Sequence, residues 1–550
     1  MKIIKIFLIA VALSSITLTG CSDDFLEEKP KDTAFADNIY TDLKGFTLAK
    51  NALLDFPRQE RQEKIQSAEL AIIWKIGTDV AWANSELSWT KGLNQYTSVD
   101  LTSTMQFLNG DTSGRPGIFL ILYRAISSAN VLISRAQNPG VDWGGSTVAE
   151  AEKNKNEMIA HAKLIRAYAY RHLAMTFGAV PISTEEITGA NYRDDWERAP
   201  VEEVQNLIEE DLLFAEQWLP DNSKDITRLS KAIAQHYLAE LYLWKNMPDK
   251  AEEKARAVVT NPNYKLITQR YGVKSAQTGS AFMDQFYSGN ILPKQGNTEA
   301  LWVFPNSEVI NLLGRYNNCV RRTWVSAYNN VNVAYSPEYG GRGIGRAGMT
   351  PWVFTLYEPQ DDRGTDIAIR KSYVSRTGTT INTQFLVANM TTNNNIWRST
   401  RKWDWTYADS SLWGESYSYS DQTYMRLADT YLLLAEALFK QGKNSAIDGA
   451  AFYINAVRTR SKATPITAGD VTLDYILDER ARELVTEENR RETLVRTGKL
   501  VERTRKYNPI AAGTRNGVAG IQEYQVLLPI PQKVIDANVG KKMEQNPGYN

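Results

Sequence analysis

Aromatic rings set beside amide side chains are the groups in this chain whose types and spacing could do chemistry. One stretch holds Trp74, Trp82, Asn84, Trp89, Asn94 and Tyr96, and a second holds Trp324, Tyr328, Tyr335, Tyr339, Arg342 and Trp352, interleaved with Asn329 and Asn330. A flat ring stacks on the apolar C–H face of a saccharide while planar polar side chains take its hydroxyls, so both stretches read as carbohydrate-binding surfaces. Burial beneath a loop is the competing fate for each ring. Trp82 and Trp89 with Asn84, and Trp324 with Tyr328, are the preferred contacts because polar partners lie beside them. A third group, Trp397, Trp403, Trp405 and Trp413, alternates in part and reads as strand or core.

Other residues offer less. Gly343-Ile-Gly345-Arg-Ala-Gly348 fits a dinucleotide fingerprint on letters, but Pro351 blocks the helix that should follow, which leaves a flexible loop. His161, His172 and His236 lack the four-residue spacing of a zinc helix. The run from Asp478 to Arg491 alternates in sign, the pattern of a solvated helix face with ion pairs. Asp194-Asp195 and Asp361-Asp362 sit in loops, where calcium or acid chemistry would need a geometry that spacing does not supply. No catalytic residue, metal site or cofactor is assigned.

The amino terminus has its own chemistry. Lys2 and Lys5 precede an apolar run from Ile6 to Leu18, the order of a secretory signal, and the run is too short to span a bilayer comfortably. It ends in Leu18-Thr19-Gly20-Cys21, which looks like a bacterial lipobox with Cys21 as the lipidated first residue after cleavage. Residues 1–20 are thus expected to be a lipoprotein signal and 21–36, with Asp23, Asp24, Glu27 and Glu28, an acidic tether. Acyl chains, worth about 0.8 kcal/mol per buried CH₂, would hold the protein at a membrane without a spanning helix. Cys319 is then the single cysteine left, so no internal disulfide can form.

The elements that must position the rings follow from composition and rhythm. The chain has 550 residues, 43% hydrophobic and 23% charged, the balance of a folded soluble body. Lys plus Arg and Asp plus Glu both number 63, so no net field draws the chain to nucleic acid. Tyr40, Leu43, Phe46, Ala49 and Leu53 mark a first helix. Residues 118–135 and 157–177 mark two more, the latter stopping at Gly178. A further helix carries Val204, Leu207, Ile208, Leu212, Ala215 and Trp218, and Ser230 is placed to cap the next. Leu238-Ala239, Tyr242, Ala251 and Ala255, and again Tyr431, Leu434-Ala435, Leu438, Ala446 and Ala450, look like tetratricopeptide-type helix pairs, separated by nearly 170 dissimilar residues. Residues 265–420 lose helical rhythm and read as loops and short strands. Helices return from Gln422 to Ser461 and from Asp474 to Arg496, and 506–550 form an extended wrap.

A series of motifs in fixed order resembles the SusD/RagB family of surface nutrient-binding lipoproteins along nearly the whole mature length. It runs from Arg166-Ala-Tyr168-Ala-Tyr170 and Phe177-Gly178-Ala-Val180-Pro181-Ile182 through Arg198-Ala-Pro200-Val201, Asp211-Leu212 and Leu219-Pro220. It continues with Arg426-Leu427-Ala428-Asp429, Ala435-Glu436-Ala437, Glu479-Arg480, Glu483-Leu484, Glu488, Arg490-Arg491, Arg496 and Gly498. It closes with Pro529-Ile530-Pro531, Asn538 and Gln545-Asn546-Pro547-Gly548-Tyr549. The resemblance implies a mainly α, tetratricopeptide-like helical scaffold, about 37–264 and 421–505, supporting a loop-rich glycan-facing region, about 265–420, in one unit spanning 37–550. It implies a non-catalytic glycan binder at the outer membrane, and a SusC-like TonB-dependent barrel as partner. The stretch from Trp74 to Tyr96 lies close to the glycan face in that family. A helical glycoside hydrolase and a helical-repeat scaffold that binds only proteins are the competing functions.

Overall fold

A computed structural model describes residues 39–61, 63–65, 68–83, 88–97, 101–102, 106–110, 116–221, 225, 228–306, 318–385, 396–406, 410–415, 418, 420–513 and 520–549. Cys21 and Asn84 lie outside the described residues. Helices form where the apolar rhythm runs unbroken. The first, α1 (Leu43–Leu53), buries Phe46 and Leu53, and Asp42 caps it by accepting from Gly45 N–H at 2.7 Å. Helices α2 (Ile118–Arg135) and α3 (Val148–Phe177) follow. The latter opens ahead of the expected run, at a Thr147 cap, and ends at Gly178 with φ 74°. Then come α4 (Val201–Trp218), α5 (Lys231–Trp244) and α6 (Pro248–Val259). Ser230 occupies the cap position of α5, but its hydroxyl accepts from Tyr264 Oη instead of from the helix.

After the loop-rich region the chain forms α7 (Leu427–Lys440), α8 (Ala450–Arg460), α9 (Leu473–Leu484), α10 (Arg490–Arg496) and α11 (Leu500–Tyr507). Gln422–Arg426, expected as helix, is a strand paired antiparallel with Ala300–Phe304. Its Thr and Tyr suit a pleated surface, and the helix starts only after Arg426. The expected helix from Asp474 to Arg496 breaks after Leu484, where Thr486 adopts φ 70°.

Each helix from α2 to α8 packs on the next in chain order, and α6 packs directly on α7. The two tetratricopeptide-like pairs are therefore adjacent in space although far apart in sequence. Ala239, Ala255, Ala428, Ala435, Ala450 and Ala451 lie in their shared core, where small side chains let backbones approach. The strand pair 300–304 and 422–426 forms the stem through which the intervening segment leaves the stack and returns. That segment carries short two-stranded pieces and 3₁₀ turns.

The alternating charges from Asp478 to Arg491 are structural, but they are not solvated. Glu479, Arg480, Glu483, Arg490 and Arg491 are buried. Glu479 accepts from Arg363 at 2.7 Å, Arg482 at 2.8 Å and Arg458 at 2.9 Å. Glu483 accepts from Arg460 at 2.5 Å, Arg426 at 2.8 Å and Arg363 at 3.1 Å, and Glu487 from Lys402 at 2.5 Å and Arg426 at 2.7 Å. Burial by itself would raise these carboxyls. Arg363, Arg482 and Arg458 nevertheless hold Glu479 down to about 2, and Arg460, Arg426 and Arg363 hold Glu483 far below the usual carboxylate range. Of the loop acids singled out from sequence, Asp361 is engaged by Arg363, Asp362 by Lys462 and Asp195 by Arg193.

Two outcomes follow. Glu483→Gln leaves three guanidinium groups short of charge in a sealed site, and is expected to lower unfolding free energy by about 3–5 kcal/mol in urea titration. Acid acts on the same groups: the unfolded chain binds these protons more readily than the folded one, so their stabilisation is complete above pH about 4.5 and is lost as pH falls toward 2. Tm is expected to be flat from pH 7 to 5 and to fall steeply by pH 3; an equal Tm at pH 6 and pH 3 contradicts this.

Candidate functional site

Strand Ala81–Ala83 pairs antiparallel with Ala347–Met349, with Trp82 opposite Gly348. Asn94 locks it by accepting from Ala83 N–H at 2.8 Å and donating to Ala83 C=O at 3.0 Å. Thr350 then donates from Oγ1 to Asp79 C=O at 2.6 Å, and Pro351 opens the 3₁₀ turn Pro351–Thr355, which carries Trp352 and Phe354. Trp352 stacks on Tyr507, the last residue of α11, with centroids 4.0 Å apart and planes at 19°. The Arg503 guanidinium lies 5.1 Å from both ring centroids.

Arg503 is held from beneath by Asp79 at 2.8 Å, Asp478 at 2.5 Å and Asp474 at 2.7 Å. Asp79 also accepts the Arg490 fork at 2.9 and 2.7 Å. Burial pushes the Asp79 carboxyl up, but Arg490 and Arg503 together carry it below its ordinary value. The half-buried Trp352–Tyr507 stack thus stands on a buried ionic footing. Two residues along the same turn, Phe354 packs 5.2 Å from Phe385, which is 41% exposed, and Arg398 sits 4.1 Å over the Phe385 ring. A neighbouring tyrosine group centres on buried Tyr328, stacked on Tyr373 at 4.9 Å, with half-buried Tyr339 edge-on to both. Arg342 is exposed beside it. Ring faces, a phenol and guanidinium groups at a surface can stack and donate hydrogen bonds.

The structure sorts the expected contacts. Trp352, Tyr339 and Arg342 reach the surface. Trp82 does not: it is 1% exposed and packs with Trp397 and Ile510 in a small interior cluster. Gly345 closes that cluster, since a Cβ there would come within 2.2 Å of the Trp397 ring, so the glycine-rich segment is packed and not a flexible loop. Trp324 is interior because its indole N–H donates to buried Glu69 at 2.6 Å. Tyr328 is sealed, donating to Gly340 C=O at 2.6 Å. Asn94 serves the strand, and Tyr96 donates to Gly77 C=O at 2.5 Å while accepting from Arg491 at 2.9 Å. These five are framework, because each spends its polar group on the protein's own backbone or charges, or is shut in by packing. Trp89 has its backbone in the short helix Ser88–Gln95, and its side chain lies outside the described residues.

Tyr507, Phe354, Phe385 and Arg398 were missed from sequence. Tyr507 ends a charged helical stretch, and the others lack neighbouring amides; their grouping exists only through contacts between distant segments. Trp403 and Trp405 are core, as expected, and Trp413 is half-buried. The three histidines are all buried. Among the described residues, no three His, Cys, Asp or Glu side chains are grouped to hold a metal. A half-open pocket of about 70 Å³ is walled by Arg61, Arg171, Glu240, Arg480 and Glu492, charges that are largely paired with one another.

Comparison with known proteins places this architecture. The model of the SusD family matches residues 371–549, and the model described as starch-binding, associating with outer membrane, matches residues 24–243. SusD-like protein P2 of Formosa agariphila is 24% identical over the full length of both chains. Starch-binding protein SusD of Bacteroides thetaiotaomicron is 38% identical over 135 residues, 24% of this chain and 22% of that one. Among solved structures, a laminarin binding SusD-like protein superposes with a TM-score of 0.68 at 21% identity, covering 92% of this chain and 99% of its own. Surface glycan-binding protein A of Bacteroides uniformis gives 0.67 at 19% identity, covering 92% and 99%. With its stacked helices, the strand stem and the buried arginine–carboxylate motifs of its carboxy-terminal third, the chain belongs to the SusD/RagB family.

Proposed function

We propose that this chain is a cell-surface glycan-binding lipoprotein that captures oligosaccharide or polysaccharide and delivers it to a SusC-like TonB-dependent outer-membrane transporter. The observation that carries the binding step is the aromatic turn Pro351–Thr355, whose Trp352 presents a ring prestacked on Tyr507 and braced by Arg503. A rigid, partly exposed ring face loses little entropy when a sugar docks on it, and family relatives whose names state starch, laminarin or surface-glycan binding support the same reading. Cys21, behind an apolar leader and ahead of an acidic tether, supports lipid anchoring, and the outer-membrane description of one matched family model supports the location.

A binder without catalysis fits the carboxylates of the loop-rich region. Glu338, Glu358, Asp361, Asp362 and Asp404 each pair with Arg or Lys. A glycosidase needs one carboxyl with a raised pKa facing another across a bond, and pairing with cations works against that.

Affinity gel electrophoresis against starch, laminarin and a panel of plant and host polysaccharides is expected to retard the protein with at least one. Trp352→Ala should weaken that binding by roughly 10-fold or more, the loss of one base- or sugar-sized stacking contact of about 1–3 kcal/mol. No new reducing ends should accumulate on long incubation with the bound glycan; sustained release would favour an enzyme, and no retardation by any glycan would favour a protein-only scaffold. For the anchor, Cys21→Ser is expected to shift the protein from the membrane pellet to the soluble fraction and to abolish incorporation of labelled fatty acid.

A further inference from the structure

Arg398 differs from Arg363, Arg370 and Arg401. In the same region Arg363 pairs with Asp361, Arg370 with Glu338 and Asp404, and Arg401 with the same two acids. The guanidinium of Arg398 has neither ion pair nor hydrogen bond among the described residues; its contacts are the rings of Phe385 at 4.1 Å and Phe354 at 6.0 Å. Its Nε is shut off from solvent with no acceptor. A ring face attracts the cation but accepts no ordinary N–H bond, so the terminal nitrogens, which are not shut off from solvent as Nε is, stay open to an acceptor from outside. Glu338 and Asp404 are taken by Arg370 and Arg401. Trp397 precedes Arg398 on extended backbone and points to the opposite side, so its own unpartnered indole belongs to the interior cluster with Trp82 and not to this contact.

A half-buried, unpaired guanidinium laid against an exposed ring calls for an anion carried on a body that can itself lie against that ring. Resting on the glycan-binding reading above, we infer that the saccharide taken here is acidic: a ring-borne carboxylate or sulfate ester accepts from Arg398 while the sugar's C–H face packs against Phe385. Arg suits either anion because its planar fork can donate two parallel bonds.

The test is isothermal titration calorimetry of the full chain with three matched pairs: oligosaccharides of polygalacturonate and of alginate, each beside its carboxyl-reduced form, and of a sulfated galactan beside its desulfated form. At least one acidic member is expected to bind roughly 10- to 100-fold tighter than its neutral counterpart, the worth of a hydrogen bond to a charged group. That advantage should shrink as salt rises. Arg398→Gln should erase the advantage, Arg398→Lys should keep part of it, and Phe385→Ala should weaken both members of the pair; matching Tm values show that the variants are folded. Equal affinity within all three pairs, an unchanged advantage in Arg398→Gln, or binding to neutral starch or laminarin with no acidic preference overturns this inference and leaves the glycan-binding reading standing. Binding to no glycan of any kind overturns both.

Discussion

The fold depends on the pair of buried carboxylates one helical turn apart on α9. Glu479 and Glu483 collect guanidinium groups from four places at once: Arg363 in the loop-rich region, Arg426 at the strand stem, Arg458 and Arg460 on α8, and Arg482 on α9 itself. Two charges brought out of water recover their hydration only if every donor and acceptor is met, so this junction admits one arrangement and penalises near misses. It is therefore a device for choosing a single way of seating an irregular 150-residue region, of the order implied by its limits near 265 and 420, on a helical stack.

A second ionic node carries the same logic outward. Asp79 sits between the strand that holds Trp82 and two arginines of the carboxy-terminal helices, and Arg503 passes that constraint to Trp352 and Tyr507. The surface rings are thus connected to the frame by charge and not merely by apolar packing. Removing Asp79 would free two buried cations and loosen a pair of surface rings it never touches.

How much of this could be read from sequence depends on the kind of signal. Phe46 and Leu53, or the stop at Gly178, were legible because helical burial repeats every three or four residues and a positive φ favours glycine. The carboxy-terminal charges were readable as ion pairs but not as buried ones, because alternating signs look the same whether the opposing cations come from solvent-facing neighbours or from Arg363, more than 100 residues away. The packing of α6 on α7 was hidden for the same reason. Trp82 and Trp324 were misplaced because an indole beside polar residues suits a sugar face and a hydrogen-bonded core equally well; only the partners, Trp397 and Glu69, decide. Trp352 was singled out from its polar neighbourhood, while Tyr507, on which it stacks, carried no such signal.

The strand stem of 300–304 and 422–426 has a consequence for how such molecules diversify. Because the excursion departs and re-enters through paired neighbours, and the helices on either side touch each other, its length and content can drift without opening the frame. The permitted drift is bounded by pegs such as Arg363 and Lys402, whose cationic ends must still land on α9 and the turn beyond it. Grafting a foreign excursion onto this frame should therefore succeed or fail on such cationic positions more than on overall similarity.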